Sequence, residues 1–106
     1  MNKESIIQHK VMERLSQLGC VPIRQNVGNF YTRELKIVKI GILGMPDLLV
    51  LRKDGKCFWV EMKTPTGKLR EDQKKFKKFL ESIGHHVYVV RSVDEVDEIV
   101  RKENEQ

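Results

Sequence analysis

Apolar positions along this chain change their spacing several times, and each change predicts an element. From Lys3 to Leu18, Ile7, Val11, Leu15 and Leu18 recur at steps of three and four, the repeat of a helix with one buried stripe, and Gly19 stops it. Glu4 lies three residues before Ile7 and so falls on that inward stripe. Val21 to Val27 reads as a strand ended by Gly28-Asn29. Phe30 to Gly44 is the least patterned stretch, with extended pieces at Lys36–Ile40 and turn glycines at positions 41 and 44.

Leu48–Leu51 and Cys57–Met62 are short apolar runs flanking Lys53-Asp54-Gly55, a hairpin signal. Loop length decides the register. A two-residue Asp54-Gly55 turn would put Asp47 opposite Met62 and send Glu61 to the other face. A three-residue Lys53-Asp54-Gly55 loop with Gly55 left-handed puts Asp47 opposite Glu61, with Lys63 on the same face by the period of two.

Pro65 and Gly67 break the chain, and a helix is expected from about Arg70 to Ile83, ended by Gly84, with Phe76, Leu80 and Ile83 inward and Phe79 beside them. Gln73, three residues before Phe76, joins that stripe at the helix start. His86 to Arg91 reads as a central strand, parallel to its neighbour because a helix supplies the crossover. Ser92-Val93-Asp94-Glu95 has the form of a capping box opening a last helix to about Lys102, with Glu103 to Gln106 fraying. The succession is α/β, a mixed sheet between helices.

At 106 residues, 40% apolar and 33% charged, the chain fits one globular domain, 1–106. No apolar run approaches a membrane span and Met1-Asn2-Lys3-Glu4 lacks the shape of a secretory signal, so an intracellular, cytoplasmic place is expected, with no membrane partner. Cys20 and Cys57 are too few for a disulfide framework or a zinc site and are read as free thiols. The net charge of +5 weakly favours an anionic partner. Placement says more: Lys63, Lys68, Arg70, Lys74, Lys75, Lys77 and Lys78 crowd together.

Glu4, Asp47, Glu61 and Gln73 occupy positions where a fold prefers apolar residues, and Lys63 extends the Glu61 face. Burying several such groups without partners costs several kcal/mol each, so convergence around a hard cation such as Mg2+ explains them together. The plain alternative is an Asp47–Lys63 or Glu61–Lys63 salt bridge at a sheet edge, which spacing alone does not separate from a metal site. The Gly-x-Pro before Asp47, the basic run after Lys63 and the inward Gln73 shift the balance. His9 is read as a helix-surface residue. His85 and His86 point to opposite faces, and Trp59 is assigned to the core rather than to base stacking.

Gly44-Met45-Pro46-Asp47, Glu61-Met62-Lys63 and the Gln73 helix, with Glu4 in the first helix, resemble the PD-(D/E)XK nuclease superfamily, in detail its VRR-NUC branch of virus-type replication-repair nucleases. The resemblance runs from Lys3 to about Val96. It implies a restriction-endonuclease-like α/β/α sandwich with a central mixed β-sheet, and a metal-dependent endonuclease leaving a 5′-phosphate and a 3′-hydroxyl. Asp47 and Glu61 would hold Mg2+ (Mn2+ substituting) with the Met62 backbone carbonyl, and Glu4 would complete the site directly or through water. Lys63 would position or polarise the attacking water, and Gln73 would orient Lys63 or a ligand.

Lys68, Arg70, Lys74 and Lys78 are candidate phosphate contacts, with Arg24, Asn26 and Tyr31 as further candidates to line the groove. The expected substrate is DNA, branched or otherwise structured, in replication, recombination or repair, with no small-molecule cofactor. A homodimer would supply two sites for symmetric cutting. The rival reading is a nucleic-acid-binding module that keeps the fold without turnover; a protein-interaction role explains the basic helix but not the inward carboxylates.

Overall fold

The computed structural model describes residues 3–25, 28–40 and 42–106. In chain order the elements are α1 (Lys3–Gln17), β1 (Val21–Arg24), β2 (Gly28–Tyr31), β3 (Ile37–Ile40), β4 (Leu48–Leu51), β5 (Cys57–Met62), α2 (Glu71–Ser82), β6 (Val87–Val90), one 3-10 turn (Val93–Glu95) and α3 (Val96–Asn104). The main sheet runs β1-β4-β5-β6. Its first two pairings are antiparallel and β5–β6 is parallel. A tight loop can only return a strand antiparallel, whereas the α2 crossover delivers β6 parallel.

Side-chain alternation gives the sheet two different faces. Leu48, Val50, Phe58, Val60, Met62 and Val90 meet Val11 and Leu15 of α1 and Val96, Ile99 and Val100 of α3 in one buried cluster. Phe58 is fully buried there, and truncating such a side chain to alanine costs ~3–5 kcal/mol. The opposite face carries Leu49, Leu51, Cys57, Trp59 and Glu61, in register with Val21 and Ile23 of β1 and Val87 and Val89 of β6. Helix α2 packs on this side against β6. With helices on both faces of a mixed sheet, the fold is the α/β arrangement expected from the residue pattern, and it matches the restriction-endonuclease-like α/β/α sandwich that the resemblance implies.

Several expectations are corrected. β6 is an edge strand, not a central one, because the sheet ends with it. The extended piece expected at Lys36–Ile40 is β3, but Gly28-Asn29, expected to end a strand, instead opens β2, which pairs with β3 in a separate two-stranded sheet. β1 stops at Arg24, and Asn26 and Val27 lie outside the described residues. In α2, Leu80 is buried and Phe76 half-buried, but Phe79 is 55% exposed, and Ile83, which caps the C-terminal end of the helix, is 58% exposed, since the helix covers only part of the sheet.

The last helix opens through the 3-10 turn, and Glu95 accepts from the Arg91 amide (3.0 Å) instead of closing a box on the Ser92 amide. Its C-terminal end does not fray at Glu103. That side chain is 2% exposed and accepts from the Tyr88 hydroxyl, with His86 Nδ1 at 2.6 Å and Arg52 Nη1 at 3.5 Å. None of the described helices is long and apolar enough to cross a membrane.

Candidate functional site

The β4–β5 hairpin sets the geometry. The Arg52 amide donates to the Lys56 carbonyl (2.8 Å), the Gly55 amide donates back to the Arg52 carbonyl (3.2 Å), and Gly55 has φ +87°. The loop is therefore the three-residue Lys53-Asp54-Gly55 form with a left-handed glycine. Leu48 pairs with Val60, and one step further along the ladder Asp47 faces Glu61. The Met62 amide donates to Asp47 Oδ2 at 2.6 Å. A strand residue presents its N–H and C=O on the same side, so the Met62 carbonyl also leaves β5 toward Asp47, away from β6. Asp47 is itself fixed through its backbone carbonyl, which accepts from the Gln25 amide at 2.8 Å.

Glu61 is 3% exposed. Burial pushes its carboxyl up to about 9, the hydrogen bond and charge of Asp47 push the same way, Lys63 pulls down, and Glu4 adds a smaller upward push. Two carboxylates held together, Glu61 buried and Asp47 half-buried, cannot both ionise freely. No ion pair within 4.0 Å neutralises Asp47, Glu61 or Lys63 among the described residues. The edge salt bridge that would have explained the pattern without metal is thus not what these residues form, although Lys63 is buried with them at 7% exposure.

Gln73 enters from α2. Its Nε2 donates to Glu61 Oε1 (3.2 Å) and its Oε1 accepts from the Arg70 amide (2.8 Å), so one amide both caps the helix and orients the carboxylate. The approach of α2 depends on Gly44, which has φ +88°; a Cβ there would lie 2.4 Å from the Asp72 carbonyl oxygen. The Gly-x-Pro before Asp47 is visible in the sequence, but its contact with the first turn of α2 has no local signature.

The structure brings Asp47, Glu61, Lys63 and Gln73 together, with Glu4 half-buried on α1 near enough to act on Glu61. No three His, Cys, Asp or Glu side chains among the described residues stand close enough to hold a metal ion by themselves. The available donor set is two carboxylates with the Met62 carbonyl, and Glu4 is not a third carboxylate of that set. Arg24 and Tyr31 are exposed, and Asn26 lies outside the described residues. Lys68, Arg70, Lys74 and Lys78 are exposed; Arg70 pairs with Asp72 (3.2 Å) and Lys74 with Glu71 (3.3 Å), whereas Lys68 and Lys78 have no carboxylate within 4.0 Å among the described residues. Trp59 is half-buried, its Nε1 donating to His85 Nδ1 at 3.2 Å.

Comparison with known proteins agrees with this geometry. The family model of the VRR-NUC domain matches residues 2–94. A solved structure described as a VRR_NUC domain superposes with a TM-score of 0.72 at 27% sequence identity, over 95% of this chain and 97% of its own. Among curated proteins no match was found. Matched over most of its length in sequence and in fold, the chain belongs to the VRR-NUC domain family, a nuclease-type family.

Proposed function

We propose that this protein is a metal-dependent endonuclease that hydrolyses phosphodiester bonds in DNA, with branched or structured duplexes as its substrates. The observation that carries the reading is the meeting of Asp47 just before β4, Glu61 in β5, Lys63 just after it and Gln73 in α2, with the two carboxylates left without an ion-pair partner among the described residues. Hard oxygen donors from Asp47, Glu61 and the Met62 carbonyl suit Mg2+, with Mn2+ as a substitute. Two carboxylates fit a cation that keeps several waters, and Glu4 would act through one of them. When bound, the ion polarises phosphoryl oxygens and lowers the pKa of its water.

The chain's own residues supply the rest. Lys63 orients the attacking water and offsets phosphate charge. Gln73 holds Glu61 in place. Water adds to phosphorus as the 3′-oxygen leaves, giving a 5′-phosphate and a 3′-hydroxyl. Lys68 and Lys78, with Arg70 and Lys74, would track the backbone, so that recognition rests on shape and charge rather than base sequence.

Symmetric cutting needs two centres, and we propose a homodimer. The exposed Val21, Ile23 and Leu51 on the α2 side of the sheet, with Phe79 on α2 and Ile83 at its C-terminal cap, support it. Sedimentation showing only monomer at assay concentration counts against it. The free Cys20 and Cys57 suit a reducing, intracellular setting.

The test is cleavage of flap, junction, single-stranded and plain duplex DNA in Mg2+, Mn2+ or EDTA. Metal-dependent cutting lost in Asp47→Ala and Lys63→Ala supports the reading. Cutting that survives either substitution overturns the site, and binding without cutting in both metals supports a non-catalytic module.

A further inference from the structure

We infer that Arg91 is a positioning residue for this site, holding the turn after β5 so that Lys63 stays aligned. The inference rests on the nuclease reading but draws on different residues. β5 and β6 are parallel with Met62 opposite Val90, and the Lys63 amide donates to the Val90 carbonyl at 3.0 Å. One step further along that ladder Arg91 lies beside Lys63, and alternation puts both on the face that carries Glu61.

Two cations side by side on a sheet repel unless one is engaged elsewhere. Arg91 is engaged: its Nη1 donates to the Thr64 carbonyl at 2.7 Å and to the Gly67 carbonyl at 2.5 Å. Those carbonyls bracket the Thr64-Pro65-Thr66-Gly67 turn, which is closed by the Gly67 amide on the Thr64 carbonyl and hydroxyl, each at 3.1 Å.

The turn in turn bounds Lys63. A Cβ on Gly67 would lie 3.6 Å from Lys63 Cδ and 2.9 Å from Thr64 Oγ1, so the Gly67 backbone lies close to the lysine stem. The same turn leads into α2 and Gln73. Arg91 is braced from the other side, since its amide donates to Glu95 Oε1 at 3.0 Å. The guanidinium thus ties the edge strand to the one segment that connects the Glu-x-Lys strand with the Gln73 helix. It satisfies two carbonyls that a Met side chain could not.

The experiment compares wild type, Arg91→Met, Lys63→Met and the double variant in single-turnover cleavage of junction DNA in Mn2+, with hydrogen exchange at the Gly67 amide in the DNA-free protein. Arg91→Met is expected to lower the rate at saturating DNA by roughly ten- to hundredfold, with little change in the half-saturating DNA concentration, and to speed exchange at Gly67. In the Lys63→Met background it is expected to lower the rate no further, a result that a general loss of fold would not give. If Arg91→Met does not fold, Arg91→Gln, whose shorter side chain cannot reach both the Thr64 and Gly67 carbonyls, carries the same expectations. A wild-type rate, a loss confined to DNA binding, a further loss in the double variant, or unchanged exchange at Gly67 overturns the inference. A wild type that cuts nothing defeats the nuclease reading instead, and the exchange measurement then decides the role of Arg91.

Discussion

Gly44→Ala tests how the site is assembled. The position has φ +88°, and an added Cβ would lie 2.4 Å from the Asp72 carbonyl oxygen. Non-bonded heavy atoms rest near about 3.5 Å, so the loop or the first turn of α2 must move by roughly 1 Å. A left-handed non-glycine residue costs ~1–2 kcal/mol and the overlap a further ~1–3 kcal/mol. Gly55→Ala is the built-in control: its φ is +87°, yet nothing lies within 4 Å of the added carbon. It should therefore lose only the conformational part, ~1–2 kcal/mol.

The displacement matters for chemistry because Gln73 Nε2 sits 3.2 Å from Glu61 Oε1, and a hydrogen bond stretched by about 1 Å is no longer one. Gly44→Ala should lose ~2–5 kcal/mol in urea unfolding and roughly ten- to hundredfold in single-turnover cleavage of junction DNA, while Gly55→Ala keeps its rate. Equal stability losses in the two variants, together with a wild-type rate in Gly44→Ala, would refute the argument that α2 is seated on Gly44.

Three further outcomes follow from other parts of the molecule. The Glu61 carboxyl is raised from 4.5 to about 9, so between those values the metal-free folded protein holds a proton that the unfolded chain does not. Stability should be full at the acid end and fall by up to about 1.4 kcal/mol per pH unit as pH rises through that window. Metal binding should release that proton and tighten by up to about tenfold per unit, and calorimetry of Mg2+ binding at pH 7 in buffers of different ionisation heat, if it finds no proton release, contradicts this. Glu103→Gln, which removes the carboxylate gathering Arg52, His86 and Tyr88, should cost about 3 kcal/mol in chemical unfolding; a loss under about 1 kcal/mol refutes it. Lys68→Ala and Lys78→Ala should each weaken DNA binding across sequences and reduce the salt slope by about 1, and an unchanged slope removes them from the phosphate track.

The candidate site is legible in the sequence because its determinants are local, once the hairpin loop, which the sequence leaves open between two and three residues, is the longer one. The three-residue loop at Lys53-Asp54-Gly55 and the period of two bring Asp47 opposite Glu61, and the helical period brings Gln73 inward. Elements governed by distant partners are not. The edge position of β6 depends on sheet order, which no window around Val87–Val90 contains. Ile83 fits the inward stripe and Phe79 borders it, yet α2 ends at Ser82 and covers too little of the sheet to bury either. Glu103 sits in a charged tail that resembles a fraying end, and its burial follows from His86, Tyr88 and Arg52, which reach it from β6 and from the end of β4.

The most direct measurement is single-turnover cleavage of a four-way junction by wild type, Asp47→Asn and Lys63→Met, each first shown to unfold at the same urea concentration. The wild type should cut in Mg2+ and stop in EDTA, and each variant should fall by roughly a hundredfold or more. Cleavage that continues in EDTA, or at the wild-type rate in Asp47→Asn, would contradict a metal-dependent centre built on Asp47, Glu61 and Lys63.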